Sequence, residues 1–406
     1  MIKKECMTTE WIKSISVRNK YKDLNLIEKV IRAMCLLEML RLSGCPFCFK
    51  GGSALMLILG ESAHRLSIDI DIICPPGTDI EPYLKDIEKF GFISKTLEER
   101  QQRDTNIPKS HSKFFYHIAY KNDDKPAYIL LDVLYEDLQY HATEEVEIKG
   151  PFIELDDEPL KVTVPSADDI LGDKLTAFAP NTSGIPYIKG DRDCSLEIIK
   201  QLYDVGRLFE HSGNFQHTKD TFTQIGKIEL QYRGLPAELS LIYEDIRETA
   251  LCLGTRGQMG KGDFKMLQSG IKKIDGYIYK GKYRIEEAIV DSARAAYLAT
   301  SIEKSNTRIE KYDGNPNTIL AMELSPSVNN KLNKLKKILP EAFFIGSRQV
   351  NYYKNNQLDF GNNYKLLLSV NLFDIQKSRA KILTRISALF VTFVFDANFN
   401  NMGYTF

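Results

Sequence analysis

An excess of either charge is the first thing this sequence lacks. Its 406 residues hold 54 Lys+Arg against 54 Asp+Glu, so no global field announces nucleic acid or membrane as the partner. Nor is there a run of about 18 apolar residues, the length a membrane-crossing helix needs. The nearest case, Ile386 to Phe395, is too short and is flanked by Arg385 and Asp396; it reads as a buried helix or strand. The opening stretch MIKKECMTTEWIK has no apolar core of the signal-peptide kind. Seven cysteines, an odd number scattered along a long chain, make no disulfide framework. Cys45-Pro46-Phe47-Cys48 has redox or zinc spacing, but no second Cys/His pair follows at finger distance, so it reads as two small residues entering a strand. Six histidines form no HExxH, and no GxSxG elbow exists for serine chemistry. The glycines from Gly254 to Gly262 have the wrong spacing for a P-loop and read as a loop. The expectation is a soluble, cytoplasmic protein of a reducing compartment with no membrane partner, long enough for two or three domains.

Against these absences stands one dense stretch, Phe49 to Cys74. The turn Lys50-Gly51-Gly52-Ser53 opens an apolar segment, Ala54 to Leu59, and the strand-like run Leu66 to Cys74 closes it. Asp69 and Asp71 are the only acids of that run. Strand side chains alternate between faces, so these two point together while Ile68, Ile70 and Ile72 point into the opposite, packed face. Neighbouring carboxylates repel unless a cation lies between them, and the usual cation is a divalent metal clamping a transferring phosphate. Glycines permit backbone geometry that side chains resist, and Ser53 is expected to cap the following helix. Unpaired amides at that helix start form a cradle for phosphate oxygens. A phosphate cradle followed by a carboxylate pair is the pattern of nucleotidyl transfer; a common turn beside a half-exposed edge strand is the plainer alternative.

These motifs resemble the minimal nucleotidyltransferases of the DNA polymerase β superfamily, and more closely the AbiEii/AbiGii toxin family, which includes the MenT toxins. The resemblance rests on Lys50 to Leu55 and on Arg65 to Asp71. Two later stretches follow in the family's order: Asp169-Ile170-Leu171-Gly172-Asp173-Lys174-Leu175 and Lys200-Gln201-Leu202-Tyr203-Asp204. It covers roughly residues 25 to 210. It implies Mg²⁺ or Mn²⁺ held by Asp69, Asp71 and a third acid, and an NTP held by Lys50, Gly51, Gly52, Ser53, Arg65, Ser67 and Lys174. It also implies the toxin of a toxin–antitoxin or phage-abortive-infection system, with a cognate antitoxin as a candidate partner.

Asp132, the one acid of the apolar run Tyr128 to Tyr135, is the candidate third carboxylate, as general base or metal ligand; a structural ion pair is its alternative. Lys174 has no acid three or four residues away on its helix, which removes the simplest local ion pair and suggests a face turned inward. Asp204 is a candidate for orienting Lys174 or the nucleotide. Its plainer reading is an exposed pair with Lys200, four residues away, on a stripe with Glu197 and Arg207.

By periodicity and capping, Leu24 to Leu42 is a helix. Strands are expected at Pro46 to Phe49, Leu66 to Cys74, Lys113 to Tyr120, Ala127 to Tyr135, Phe152 to Leu155 and Lys161 to Val164. Ser166 with Asp169 starts a helix, and Leu196 to Phe209 and Glu286 to Glu303 are further helices. The expected fold is α/β (α+β), a mixed-sheet nucleotidyltransferase core over residues 1–165. A mostly helical domain over 166–406 completes the cleft, with a candidate further subdomain from about 300. Charge is locally uneven. Eight basic residues between Arg256 and Arg284 face only Asp263 and Asp275, with Tyr277, Tyr279 and Tyr283 interleaved. Six more between Lys331 and Lys354 face only Glu341, near Tyr352 and Tyr353. Such mixtures suit phosphates and bases, so a tRNA or other RNA acceptor is expected; an ordinary solvated surface is the alternative. The function expected is transfer of an NMP from an NTP to a hydroxyl. A small-molecule (aminoglycoside-like) or protein acceptor, and a nucleotide-binding regulator without turnover, remain as alternatives.

Overall fold

The computed structural model describes residues 1–98, 109–121, 125–320, 322 and 334–355. The expected buried segment from Ile386 to Phe395 and the basic Lys331 lie outside these. Among the described residues no helix is long and apolar enough to cross a membrane.

Helices α1 (Thr9–Asn19) and α2 (Leu24–Leu42) open the chain. α2 keeps the predicted bounds because Asp23 caps it, accepting from Leu26 N at 3.0 Å. It is buried on nearly every side, which would strand its charges without partners. Glu28 and Arg32 pair at 3.2 Å, Glu28 also accepts from Ala119 N, and Glu38 accepts from Ile2 N at 2.9 Å.

Strand β1 (Cys48–Lys50) runs into helix α3 (Gly51–Leu59), and β2 (Ile70–Cys74) follows. Then come β3 (Ser94–Glu98), β4 (Lys109–Tyr116) and β5 (Ala127–Tyr135). They form one sheet in the order β1-β2-β5-β4-β3, with β2 and β5 parallel and the other pairs antiparallel. One face carries Ile70, Ile72, Phe114, Tyr116, Ile129, Leu131 and Val133 and packs with α1 and α2 into a single apolar cluster. The other face is half open and carries the polar residues. β6 (Thr143–Glu147) and β7 (Lys161–Pro165) form a separate ribbon. β3 and β6 have no counterpart in the sequence reading, and Phe152 to Leu155 is not a strand but supplies a single bridge from Leu155 to Ile2.

Beyond Pro165 the described elements are helical apart from a two-residue ribbon. They are α4 (Ala167–Ala177), α5 (Ser195–His211), α6 (Phe215–Tyr232), α7 (Leu239–Gly254), α8 (Phe264–Ile274) and α9 (Ile285–Glu303), with a later helix at Pro340–Asn355. Ser166 caps α4 as expected, accepting from Asp169 N at 3.1 Å. Asp169 is itself buried and accepts from His141 N, Ala142 N and the Ser166 and Thr221 hydroxyls, which pin α4 to α6 and to the ribbon. The helices share a second apolar cluster, joined by Leu55, Leu59 and Ala63 from α3 and its exit. We propose Pro165/Ser166 as the junction between a sheet unit and a helical unit, with α3 packed into both clusters. All seven cysteines are free and buried, and Cys48 belongs to β1 rather than to a metal or redox pair.

Candidate active site

Strand register assembles the candidate residues. Lys50 on β1 is level with Asp71 on β2, Asp71 with Asp132 on β5, and Asp132 with His111 on β4. One row therefore crosses four strands on the half-open face, and Asp69 lies one residue before β2 on the same side. Two of these carboxylates, Asp71 and Asp69, resist ionisation. Burial first, then Asp132 and Asp69, push the Asp71 carboxyl up to about 7, against the pull of Lys50 and Lys174. Asp69 is raised too, chiefly by burial, with Lys200 opposing.

The turn before α3 is shaped by this row. Gly51 sits at φ +82°, and a Cβ there would overlap the Asp71 carboxylate. A Cβ on Gly52 would meet Ser67 Oγ at 2.7 Å and Arg65 Nη2 at 2.9 Å. Both glycines are thus required by close approach, the first also by its backbone conformation. Ser53 does not cap the helix. α3 begins two residues earlier, with Lys50 as its cap residue and no side-chain cap bond. Ser53 is buried inside the first turn and donates its hydroxyl to Asp69 O at 2.6 Å. It ties the turn to the acid strand.

Behind the row lies a buried charge triad. Arg65 clamps Asp204 with Nε to Oδ1 at 3.0 Å and Nη2 to Oδ2 at 2.8 Å, and gives Nη1 to Leu66 O. Lys174 Nζ is 3.2 Å from Asp204 Oδ2 and donates to Gln201 Oε1 at 3.0 Å. The absence of a partner on Lys174's own helix is thus explained, since the partner comes from α5. Asp204 is not the exposed mate of Lys200; it is 1% exposed. Arg65, expected at the nucleotide, spends its donors on Asp204 and Leu66. Ser67 lies against Gly52. Lys50 is 3.9 Å from Asp173 and lies over the Tyr140 ring, whose hydroxyl donates to Asp173. Burial alone would lower the Lys50 ammonium, but Tyr140, Asp173, Asp71 and Glu136 outweigh it and hold it above the ordinary lysine range.

Two residues near the row differ from the sequence reading, which does not single out His111 and makes Lys200 the exposed mate of Asp204. His111 Nδ1 is 2.6 Å from Asp132 Oδ1, leaving the other carboxylate oxygen outside that bond. The alternation of His111, Lys113 and Phe115 along β4 was the available signal. Lys200 lies with its ammonium 4.0 Å from the Tyr277 ring centre. Burial and then Arg65 lower it to about 8, while Asp69 pulls the other way. The segment that carries Tyr277 is stitched to the acid strand by Leu66 N to Tyr277 O and Tyr279 N to His64 O.

Among the described residues no three His, Cys, Asp or Glu side chains form a ready-made metal cage. Asp69 and Asp71 offer oxygen donors of the kind a hard divalent cation takes, one or two carboxylates with water and substrate phosphate completing its shell. Asp71 is raised first by burial and then by Asp132 and Asp69, and a cation beside it would favour its charged form, so the donors fit.

The family model described as "Nucleotidyl transferase AbiEii toxin, Type IV TA system" matches residues 35–256. The chain belongs to this family and is a nucleotidyltransferase of the toxin class found in type IV toxin–antitoxin systems. Such enzymes use an NTP and a divalent metal. Among solved structures, MenT4, a nucleotidyltransferase toxin from Mycobacterium tuberculosis H37Rv, is 11% identical, with a TM-score of 0.46 over 82% of this chain and 98% of that one. JHP933 from Helicobacter pylori is 15% identical, with a TM-score of 0.37 over 68% and 92%. No curated protein matches.

Proposed function

We propose that this chain transfers an NMP from an NTP to a hydroxyl of an RNA acceptor, with the tRNA 3′ end as the expected target, and that Asp69, Asp71 and Asp132 are its acids. The row Lys50–Asp71–Asp132–His111, with Asp69 beside it, is the observation that carries this reading. Asp69 and Asp71 would hold Mg²⁺ or Mn²⁺, with Asp132 contributing to the same cluster; bound there, the cation supplies charge neutralisation at the triphosphate. The first-turn amides of α3 bind phosphate oxygens, and Lys50 and Lys174 bring positive charge to the same space. Asp132, oriented by His111, accepts the proton of the attacking hydroxyl. That oxygen forms its bond to the α-phosphorus as the bond to the β-phosphate oxygen breaks, and pyrophosphate leaves. Asp204 and Arg65 act one layer back by fixing Lys174 and the turn. A cognate antitoxin is the expected partner.

The acceptor is the open part. Tyr279 packs on Phe152 and donates its hydroxyl to Ala63 O, and Tyr283 is buried against Tyr203, so neither is a stacking platform. Of the basic residues around them, Arg256, Lys261 and Lys273 pair with Glu286, Glu244 and Asp193, while Lys272, Lys280 and Lys282 are exposed. The inward tyrosines favour keeping a small-molecule or protein acceptor as the second reading. The test incubates each of four α-labelled NTPs with Mg²⁺, total tRNA and either the native chain or Asp69→Asn/Asp71→Asn. Label on RNA with the native chain alone supports the proposal. NTP binding without label on RNA sinks the tRNA acceptor.

A further inference from the structure

The half-open face of the sheet continues past the acids. On β5 the residues on this face are Asp132, Leu130 and Tyr128, and on β4 their partners are His111, Lys113 and Phe115. Tyr128 is 43% exposed although it sits on a central strand. Its ring centre is 5.9 Å from that of Phe115. Lys113 from β4 and Lys29 from α2 bring their ammonium groups to 5.6 and 5.7 Å from the Tyr128 ring centre. An exposed tyrosine alone means little. Two cations and a second ring gathered on one tyrosine, on the face that carries the acids, make a surface with both kinds of contact that a single strand of nucleic acid uses: π-faces for bases and ammonium groups for phosphates.

Distance decides between occupants. Tyr128 is four strand residues from Asp132, about 13 Å at the rise of an extended strand. A small acceptor with its hydroxyl at Asp132 would not reach Tyr128. A polymer threaded over the face would, with its end at the acids and an upstream nucleotide at the ring. An acidic peptide would use the lysines but has no need of an exposed tyrosine backed by a second ring.

We propose that Tyr128, Phe115, Lys29 and Lys113 form the platform that holds a single-stranded nucleic-acid acceptor, one base lying on the rings and its flanking phosphates on the two ammonium groups. The proposal rests on the nucleotidyl-transfer reading above and fixes which surface delivers the acceptor. Unlike the tyrosines of the Arg256–Arg284 stretch, Tyr128 is turned outward.

The test measures binding of a fluorescent eight-nucleotide single-stranded RNA to the full chain by anisotropy, with Mg²⁺-NTP binding followed in parallel. Tyr128→Ala should weaken RNA binding by roughly 5- to 150-fold, the value of one base stacked on an aromatic ring, whereas Tyr128→Trp should retain it. Lys29→Ala/Lys113→Ala should flatten the dependence of log K on log salt by about 1.4, at about 0.7 per phosphate contact to a single strand. NTP binding should not change in any of the three. RNA binding by Tyr128→Ala equal to the native chain overturns the platform, as does a loss of NTP binding alongside RNA binding. So does a native chain that binds no RNA; if it still labels a protein or small molecule through Asp69 and Asp71, the transfer chemistry stands and the platform alone has failed.

Discussion

Asp204 lends itself to a decisive perturbation because it is enclosed by cations. Its carboxylate is 1% exposed, Arg65 is 6% exposed and Lys174 9%. Three contacts of 2.8 to 3.0 Å come from Arg65 and one of 3.2 Å from Lys174. Asp204→Ala would strand two buried cations, and breaking a buried pair by deleting one partner costs about 3–5 kcal/mol. With urea slopes of about 1–3 kcal/mol per molar, the unfolding midpoint should fall by roughly 1 M or more. The attraction and the cost of desolvating the charges largely cancel when a whole buried ion cluster is replaced by apolar residues. Arg65→Met/Lys174→Met/Asp204→Leu should therefore recover most of the midpoint that the single change loses. That variant should be folded yet inactive in label transfer, because the proposed phosphate-facing ammonium of Lys174 is gone. Asp204→Asn keeps the shape but leaves Arg65 and Lys174 without their anion, so it should lose both stability and activity. A midpoint shift of Asp204→Ala worth less than about 1 kcal/mol would refute the reasoning, since that is the value of an exposed pair. Full activity in Asp204→Asn would refute the claim that this carboxylate positions Lys174.

Gly51→Ala should abolish label transfer, because the new methyl group overlaps Asp71 and the residue stands at φ +82°; Gly44→Ala, at φ +76° in open space, should cost only the backbone term of about 1–2 kcal/mol and leave transfer intact. In metal-free buffer the Asp71 carboxyl, raised from 3.8 to about 7, holds its proton more tightly in the folded chain than in the unfolded one. Native stability should thus decline as pH rises from about 4 to about 7, and a thermal scan of Asp71→Asn should lack that decline and any stabilisation by added Mg²⁺. His111→Leu should lower kcat by about 10- to 100-fold, the usual effect of removing a partner that orients a reacting carboxylate, with KM for the NTP unchanged in steady-state assays.

What the sequence exposed and what it hid divide along a physical line. The bounds of α2, the Ser166 cap and the bounds of β5 were legible because spacing and local hydrogen bonds set them within a few residues. Asp69 and Asp71 were legible for the same reason: strand alternation alone puts them on one side. Ser53 misled because both a cap and a first-turn serine follow a glycine pair, and only the course of the Asp69 carbonyl decides between them. Tyr279 and Tyr283 misled because composition counts aromatics without orienting them, and in the irregular segment after α8 no period says which way a ring points.

The partners of the cations were hidden for a reason that bears on how the site works. A carboxylate on a short stem must be placed by its own backbone, so the acids announce themselves as a motif. An ammonium or guanidinium on a long stem can arrive from any element that packs nearby. Lys174 reaches Asp204 from a neighbouring helix, Arg65 reaches the same acid from the approach to β2, and Lys200 crosses to Tyr277 to face Asp69. These cations all meet at the seam where the helices close on the sheet. On the reading proposed above, the Lys174 and Lys200 charges that offset the acids come from the helical unit, so a sheet unit cut off at Pro165 should keep the acids and lose those charges.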